Sequence, residues 1–574
     1  MNIFLGPWMA FALTALVAPA TAGVEGDTLA SEKSQSQTVE VELALLEPKT
    51  IRLSYRIPAS CNQLPLGTPY SDSQLRSLRK SWTPTNQCGS EVNGQIVRSD
   101  SHCDRISFDV PVEPTMADRV YPPAFPIGDL GAYVHTSVYA PTDACGPVTW
   151  KFGSALGQVV YQGENRGPTV SVPSSDSEAG YMAVFLSQSP LPPGARTALP
   201  DDLPLWIRSV VLDETSAIEA QYRKRFTSLF YVSPFVVGSA VSTAGPPRQQ
   251  AEVADGNMIR YAFYNPPNHP NLQDIANVRG VIAHEYGHRL QPQTLLKGPD
   301  DPDNLIHEGG AEYLRWTSMI RLGWSSPSDA ESELDKALNT CLANVGDQPW
   351  QHFDGRAYGD IPYACGLTLH VLLLASRRDA KAVTADDELE SYYRRRKDGP
   401  VNFGQAMECG ESERCTPRWE PKLLSSTVDF SSTVDSLIRS LGLARTLPTQ
   451  LPQPLQLAIL SNALMHLMDD DCDGSRGYYH RDNGFEVGLS PDCKTFHDGM
   501  LFTHANGVRL MAEPLKAARS LVSQCANRHL ATLEMSDGNS IKVKCGVFSA
   551  PAARFYDLDI RKVLRLLGMN VVGL

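Results

Sequence analysis

The chain has 574 residues, 42% hydrophobic and 20% charged, a composition that excludes a wholly disordered protein and leaves room for about three or four domains. Its formal charge of −13 and pI near 5.5 argue against a nucleic-acid partner and favour a soluble protein. The first 22 residues read as a secretory signal: an apolar Ile3–Val17 stretch leads to Pro19-Ala20-Thr21-Ala22, small residues suited to cleavage before Gly23. No Lys or Arg precedes that stretch, so a short membrane anchor is the alternative, although the run falls short of the roughly 20 residues a span requires. Residues 23–37 are polar and read as a flexible leader.

From residue 38 the period becomes two. Val39, Val41, Leu43 and Leu45 alternate with polar residues, as do Ile51, Leu53, Tyr55 and Ile57, and further strand-like runs follow at Ile106–Val110, Ala132–Tyr139, Val148–Phe152 and Tyr181–Leu186. Turn residues separate them, which predicts a β-sandwich over 38–195. Ser189-Pro190-Leu191-Pro192-Pro193-Gly194 reads as a linker, after which Leu203–Leu229 predicts a long helix, Phe230–Val237 a strand and Met258–Tyr264 another. The last of these lies beside the next helix, either as a plain sheet strand or as one to which an extended peptide pairs.

That next helix carries the chemistry. Leu272–Leu290 keeps the helical period through Ile275, Val278, Val281 and Ile282, and contains His284-Glu285-Tyr286-Gly287-His288. Residues i and i+4 share a helical face, so both imidazoles reach one metal ion, with Glu285 beside them as general base. Twenty residues after His288 comes Glu308, within Glu308-Gly309-Gly310-Ala311-Glu312-Tyr313. Three protein ligands, His284, His288 and Glu308, leave one tetrahedral position open, the pattern of a catalytic zinc. Glu312, one turn on, is placed to accept a hydrogen bond from a ligand histidine. A lone HExxH arises by chance on many surface helices, but the added glutamates make that reading a poor one here.

The pairing of HEYGH with HEGGAEY resembles the gluzincin metallopeptidases, whose third ligand is a glutamate on a following helix. The segment Tyr358-Gly359-Asp360-Ile361-Pro362-Tyr363-Ala364-Cys365-Gly366 is similar to one in the aminopeptidase-N-like family, and the resemblance implies that Tyr363, or less favourably Tyr358, stabilises the oxyanion. It also implies a thermolysin-like catalytic domain with a bound Zn2+ and a peptide or protein substrate. Two departures stand out. The spacing to Glu308 is one residue longer than usual, which puts His307 in the family's asparagine place as an alternative ligand or a histidine at the helix start. Before the zinc helix, where the family has a Gly-x-Met-Glu-Asn phrase that grips a free amine, this chain has Gly256-Asn257-Met258-Ile259-Arg260-Tyr261. No acid occupies the expected position, so Gly256, Asn257 and Met258 remain as candidate substrate contacts and an aminopeptidase label does not carry over.

Helices at 304–322, 328–343 and 364–377 continue the catalytic region, set at 200–445. A Pro-rich stretch at 447–456 opens a small α+β C-terminal region, 446–574, with helix Leu457–Met468, a hairpin over Leu533–Cys545 and a final helix at Val563–Leu567. Asp469, Asp471 and Asp473 with Gly474 start like a calcium loop, but position 12 is His480 where a bidentate glutamate belongs, so a solvated acidic turn is the better reading. Twelve cysteines fall in three groups of four, which suggests two disulfides per region and an oxidising compartment, secreted or periplasmic. The chain therefore reads as a multidomain α+β zinc metallopeptidase with no membrane span once the signal is removed. A non-peptide hydrolase on the same scaffold, or a binding module with a vestigial zinc site, are the alternatives.

Overall fold

The computed structural model describes residues 38–569 apart from 68–77, 113–122, 156, 173–181, 187–194, 228–232, 243–246, 255–256, 292–302, 354–360, 378–383, 400, 411, 413, 447–450, 469–470, 473–475, 490–492, 498 and 549–553. The expected signal and leader, Gly256, Tyr358 and most of the acidic turn at 469–474 lie outside these residues.

Among the described residues up to 186, two large sheets and a small three-stranded one (Gln63–Pro65, Gln95–Arg98, Gly89–Val92) form. One large sheet runs edge to edge through Thr169–Val172, Val148–Ser154, Val39–Glu47, Thr50–Arg56, Arg105–Pro111 and Thr83–Pro84; the other through Glu164–Asn165, Gln158–Tyr161, Met182–Leu186, Gly131–His135 and Ala124–Pro126. The alternation read from the sequence sets which residues face inward: Val39, Val41, Leu43, Leu45, Ile51, Leu53 and Tyr55 are completely buried. Each such side chain contributes about 1.5–3 kcal/mol through its removal from water.

A mixed four-stranded sheet follows, in the order Thr197–Ala198, Phe235–Val241, Met258–Tyr264, Arg248–Ala254. Here one expectation is corrected. Met258–Tyr264 pairs with Phe235–Val241 on one side and Arg248–Ala254 on the other, so it has no free backbone edge, and all seven of its residues are buried. The outer strand of this sheet beside the helices is Arg248–Ala254, whose polar residues concealed it in the sequence.

Eight α-helices lie among the described residues between 200 and 445: α1 (Leu205–Arg225), α2 (Leu272–His288), α3 (Asp303–Arg321), α4 (Pro327–Val345), α5 (Ile361–Ala375) and α6 (Ala385–Asp398), followed by Glu420–Leu423 and Phe430–Leu441. Their starts are written locally. Asn271, Ser326 and Thr384 each accept a hydrogen bond from the backbone N–H three residues on, and Asp274, Asp329 and Asp387 return it, closing capping boxes on α2, α4 and α6. Beyond residue 446, helices Gln453–His466 and Pro514–Arg528 pack beside a six-stranded sheet. This region has no separate core: one hydrophobic cluster is continuous from Leu203 to Met569. Asn339 on α4 makes two hydrogen bonds to the Tyr556 backbone at 2.8 Å each, and Asp335 accepts from the Leu558 N–H at 2.9 Å.

Six disulfides form, two within each of the three cysteine groups: Cys61–Cys145, Cys88–Cys103, Cys341–Cys365, Cys409–Cys415, Cys472–Cys493 and Cys525–Cys545. Among the described residues no helix is long and apolar enough to cross a membrane. In the acidic turn, Asp471 accepts hydrogen bonds from the Thr495 and Phe496 N–H groups at 2.8 and 3.1 Å, a loop-bracing role.

Candidate metal centre

Close helix packing puts the site together, and glycines permit it. A Cβ on Gly287 of α2 would lie 3.0 Å from the Ala311 Cα of α3, and one on Gly309 of α3 would lie 2.3 Å from the Gly366 Cα of α5. The first contact brings the histidines of α2 against the glutamates of α3. The second brings the start of α5, with Tyr363, over the same point.

Three atoms converge there. The Nε2 atoms of His284 and His288 are 3.0 Å apart, and Glu308 Oε2 is 3.3 and 3.4 Å from them. The opposite ring nitrogens decide the tautomers. His284 Nδ1 lies 2.8 Å from Glu312 Oε1, an anion clamped by Arg315 at 2.7–3.0 Å, so this nitrogen is the donor. His288 Nδ1 lies 3.0 Å from Gln291 Oε1; the amide orientation follows from its Nε2, which donates to the His307 carbonyl at 2.7 Å. With both protons on Nδ1, both Nε2 atoms present lone pairs to each other and to a carboxylate oxygen. Such a triad repels itself unless a cation, a proton or a metal, lies between. The donor set suits zinc: tetrahedral bonds of about 2.0–2.2 Å place ligand atoms roughly 3.3–3.5 Å apart.

The electrostatics agree with that demand. Burial opposes a charge on His284, but Glu308 and Glu312 overturn it and push the imidazole up to about 10. Burial likewise opposes Glu308 ionisation, and the two histidines nevertheless hold it well below the usual carboxylate range. Glu312 is held down at about 2 by Arg315 and His284 against its own burial. Arg315 is itself paired with Glu333.

Glu285 is buried on α2, and burial raises its carboxyl above the ordinary value while His284 and His288 pull it back. Tyr363 is the exposed member of the group, at 39%. Its ring lies 5.6 Å from the His284 ring, and burial followed by the Glu308 carboxylate holds its phenol above the ordinary range. His307 stacks on His288 with ring centroids 4.2 Å apart rather than joining the converging atoms. Burial and the neighbouring His288 lower it to about 3.

Of the positions expected to touch substrate, Gly256 lies outside the described residues, while Asn257 and Met258 are described. Met258 is completely buried in a cluster that joins the sandwich to the mixed sheet, and the Asn257 backbone abuts Gly163 and accepts from the Phe235 N–H at 2.7 Å. Sequence reasoning missed the acid that does stand near Glu285. Glu252, on the outer strand, pairs in register with Arg260, and its carboxylate lies 2.8 Å from Arg260 Nε. Burial pushes Glu252 up to about 8 and Arg260 down to about 9, and both feel the Glu285 charge. Gln291 was missed as well, because no spacing rule marks a glutamine three residues after a candidate ligand.

No protein-family model and no curated protein matches the chain. Solved structures give distant likenesses. An aminopeptidase N family protein from Idiomarina loihiensis is 11% identical, with 92% of this chain and 100% of that one covered at a TM-score of 0.47. An M1 zinc metallopeptidase from Deinococcus radiodurans is 16% identical, covering 73% of this chain and 96% of its own at 0.34. A mutant two-domain M1 zinc metallopeptidase bound to L-arginine is 14% identical, covering 72% and 95% at 0.34.

Proposed function

We propose that this protein is a secreted or periplasmic zinc metallopeptidase with a gluzincin-type, thermolysin-like catalytic domain. The observation that carries the reading is the convergence of His284 Nε2, His288 Nε2 and Glu308 Oε2 within 3.0–3.4 Å, with both Nδ1 protons committed to other partners. Six disulfides favour an oxidising compartment.

When bound, zinc supplies Lewis acidity that lowers the pKa of a water and polarises the scissile carbonyl. The chain's own residues do the rest. Glu285, buried and raised in pKa, accepts the proton of the attacking water and returns it to the leaving amine. Tyr363 donates a hydrogen bond from its phenol to the developing oxyanion from the exposed side of the site, a task that a phenol held protonated performs at neutral pH. Glu312 and Gln291 keep the two imidazoles in the tautomer that presents Nε2.

The test is zinc content together with a panel of peptide, ester and epoxide substrates. One zinc per chain and chelator-reversible hydrolysis of peptides are expected. Stoichiometric zinc with turnover only on the non-peptide substrates would move the protein to another hydrolase class, and function retained without metal would make it a binding module.

A further inference from the structure

Behind His288 lies a set of buried polar groups that the reaction itself does not use. Gln291 sits two residues beyond Arg289, the C-cap of α2; its Oε1 faces His288 Nδ1 at 3.0 Å and its Nε2 reaches the Tyr393 hydroxyl at 3.3 Å. Tyr393, on α6, is buried, so the proton of its own hydroxyl requires an acceptor away from water. His370, on α5 two turns after Tyr363, is completely buried between Tyr313 and Phe403. Its Nδ1 donates to the Gly366 carbonyl at 2.8 Å, which leaves Nε2 as a lone pair. That atom has no hydrogen-bond partner among the described residues.

These groups meet at Gly310, two residues after Glu308. A Cβ there would lie 2.4 Å from the Tyr393 hydroxyl oxygen, 2.7 Å from Gln291 Nε2 and 3.4 Å from His370 Nε2. Only a residue without a side chain leaves the three room to face one another.

We propose that His370, Tyr393 and Gln291 are positioning residues, a buried hydrogen-bond chain that fixes His288 as a metal ligand. The polarity of the chain is uniform. His288 Nδ1–H donates to Gln291 Oε1, Gln291 Nε2–H to the Tyr393 oxygen, and His370 Nδ1–H to the Gly366 carbonyl; the remaining link, from the Tyr393 O–H to the unpartnered His370 Nε2, is the one the proposal adds. Because it ends on a helix carbonyl, which cannot donate, the chain cannot run in reverse. His288 is thereby held with its lone pair on Nε2, toward Glu308. Outer partners of this kind typically alter metal affinity about 10- to 100-fold.

The inference rests on the zinc reading above, and the test separates the two. Zinc dissociation constants would be measured by chelator competition on the full chain, on Tyr393→Phe, on His370→Phe, which keeps an aromatic ring between Tyr313 and Phe403, and on the double variant. Each single variant is expected to bind zinc about tenfold more weakly, with turnover recovering at saturating zinc, and the double variant to be no weaker than the worse single one, as links of one chain require. If Tyr393→Phe binds zinc as tightly as the unaltered chain, or if the two losses simply add, the chain is overturned while the zinc site stands. An unaltered protein that takes up no stoichiometric zinc overturns both. Should His370→Phe fail to fold, Tyr393→Phe decides alone, with its metal-free melting midpoint measured alongside: a zinc affinity lost while that midpoint is unchanged supports the chain, and a loss that only follows a fallen midpoint overturns it.

Discussion

Two carboxylates bracket the His284 imidazole, Glu308 at 3.3 Å from Nε2 and Glu312 at 2.8 Å from Nδ1. Without metal, that bracket holds a proton. The folded-state pKa of His284 is raised from about 6.5 to about 10. A raised pKa contributes stability that is fully present below about pH 6.5 and is lost as pH rises through about 10. The metal-free protein is therefore expected to lose thermal stability steadily between these limits, and zinc uptake to release a proton and tighten as pH rises across the same window. Melting midpoints of metal-free and zinc-loaded protein from pH 6 to pH 10 check this. A metal-free midpoint that stays flat would mean that His284 is not the group holding the proton.

At the scale of elements, the site depends on how closely α2, α3 and α5 approach. Gly309 and Gly366 meet backbone to backbone, so Gly309→Ala must push α3 from α5. Overpacking of this kind costs about 1–3 kcal/mol, and it moves Tyr363 away from Glu308. Gly309→Ala is expected to lower the melting midpoint and to lower kcat more than it raises KM; an unchanged kcat would separate Tyr363 from the chemistry. The sequence displayed what is local. The i, i+4 histidines, the alternation of Val39 to Leu45 and the cysteine groupings depend only on neighbours along the chain. What tertiary contact assembles stayed hidden. Glu252 feels the Glu285 charge from a polar outer strand, Tyr393 reaches Gln291 from a helix 102 residues away in sequence, and His370 lies against Gly310 from another helix. Helix α6, with its run of Asp, Glu and Arg, showed too narrow an apolar face to stand out, although Leu389, Tyr392 and Tyr393 bury it. Met258–Tyr264 takes an edge reading only from the family resemblance, and its second partner strand, Arg248–Ala254, is too polar to be legible as one.

For the whole molecule, the cores define what can be removed. The sandwich has its own core, and a further cluster containing Phe125, Tyr133, Met258 and Tyr264 joins it to the mixed sheet. Arg260 lies over the Phe125 ring at 4.0 Å and against Glu252, so this junction also supports residues near Glu285. The C-terminal region, by contrast, shares the catalytic core through Tyr556, Leu558, Val563 and Leu564. A chain ending at 445 would expose that core to water and is expected to be insoluble; a soluble, zinc-binding truncation would contradict a continuous core. The most direct measurement for the molecule as a whole is the Glu285→Gln protein, assayed for zinc content and for peptide hydrolysis side by side. Glu285 lies beside the ligands without being one, so zinc is expected to remain at one per chain while turnover falls by about a thousandfold or more, at the upper part of the usual range for a general base. Peptide turnover that survives in Glu285→Gln with its zinc in place would contradict the mechanism.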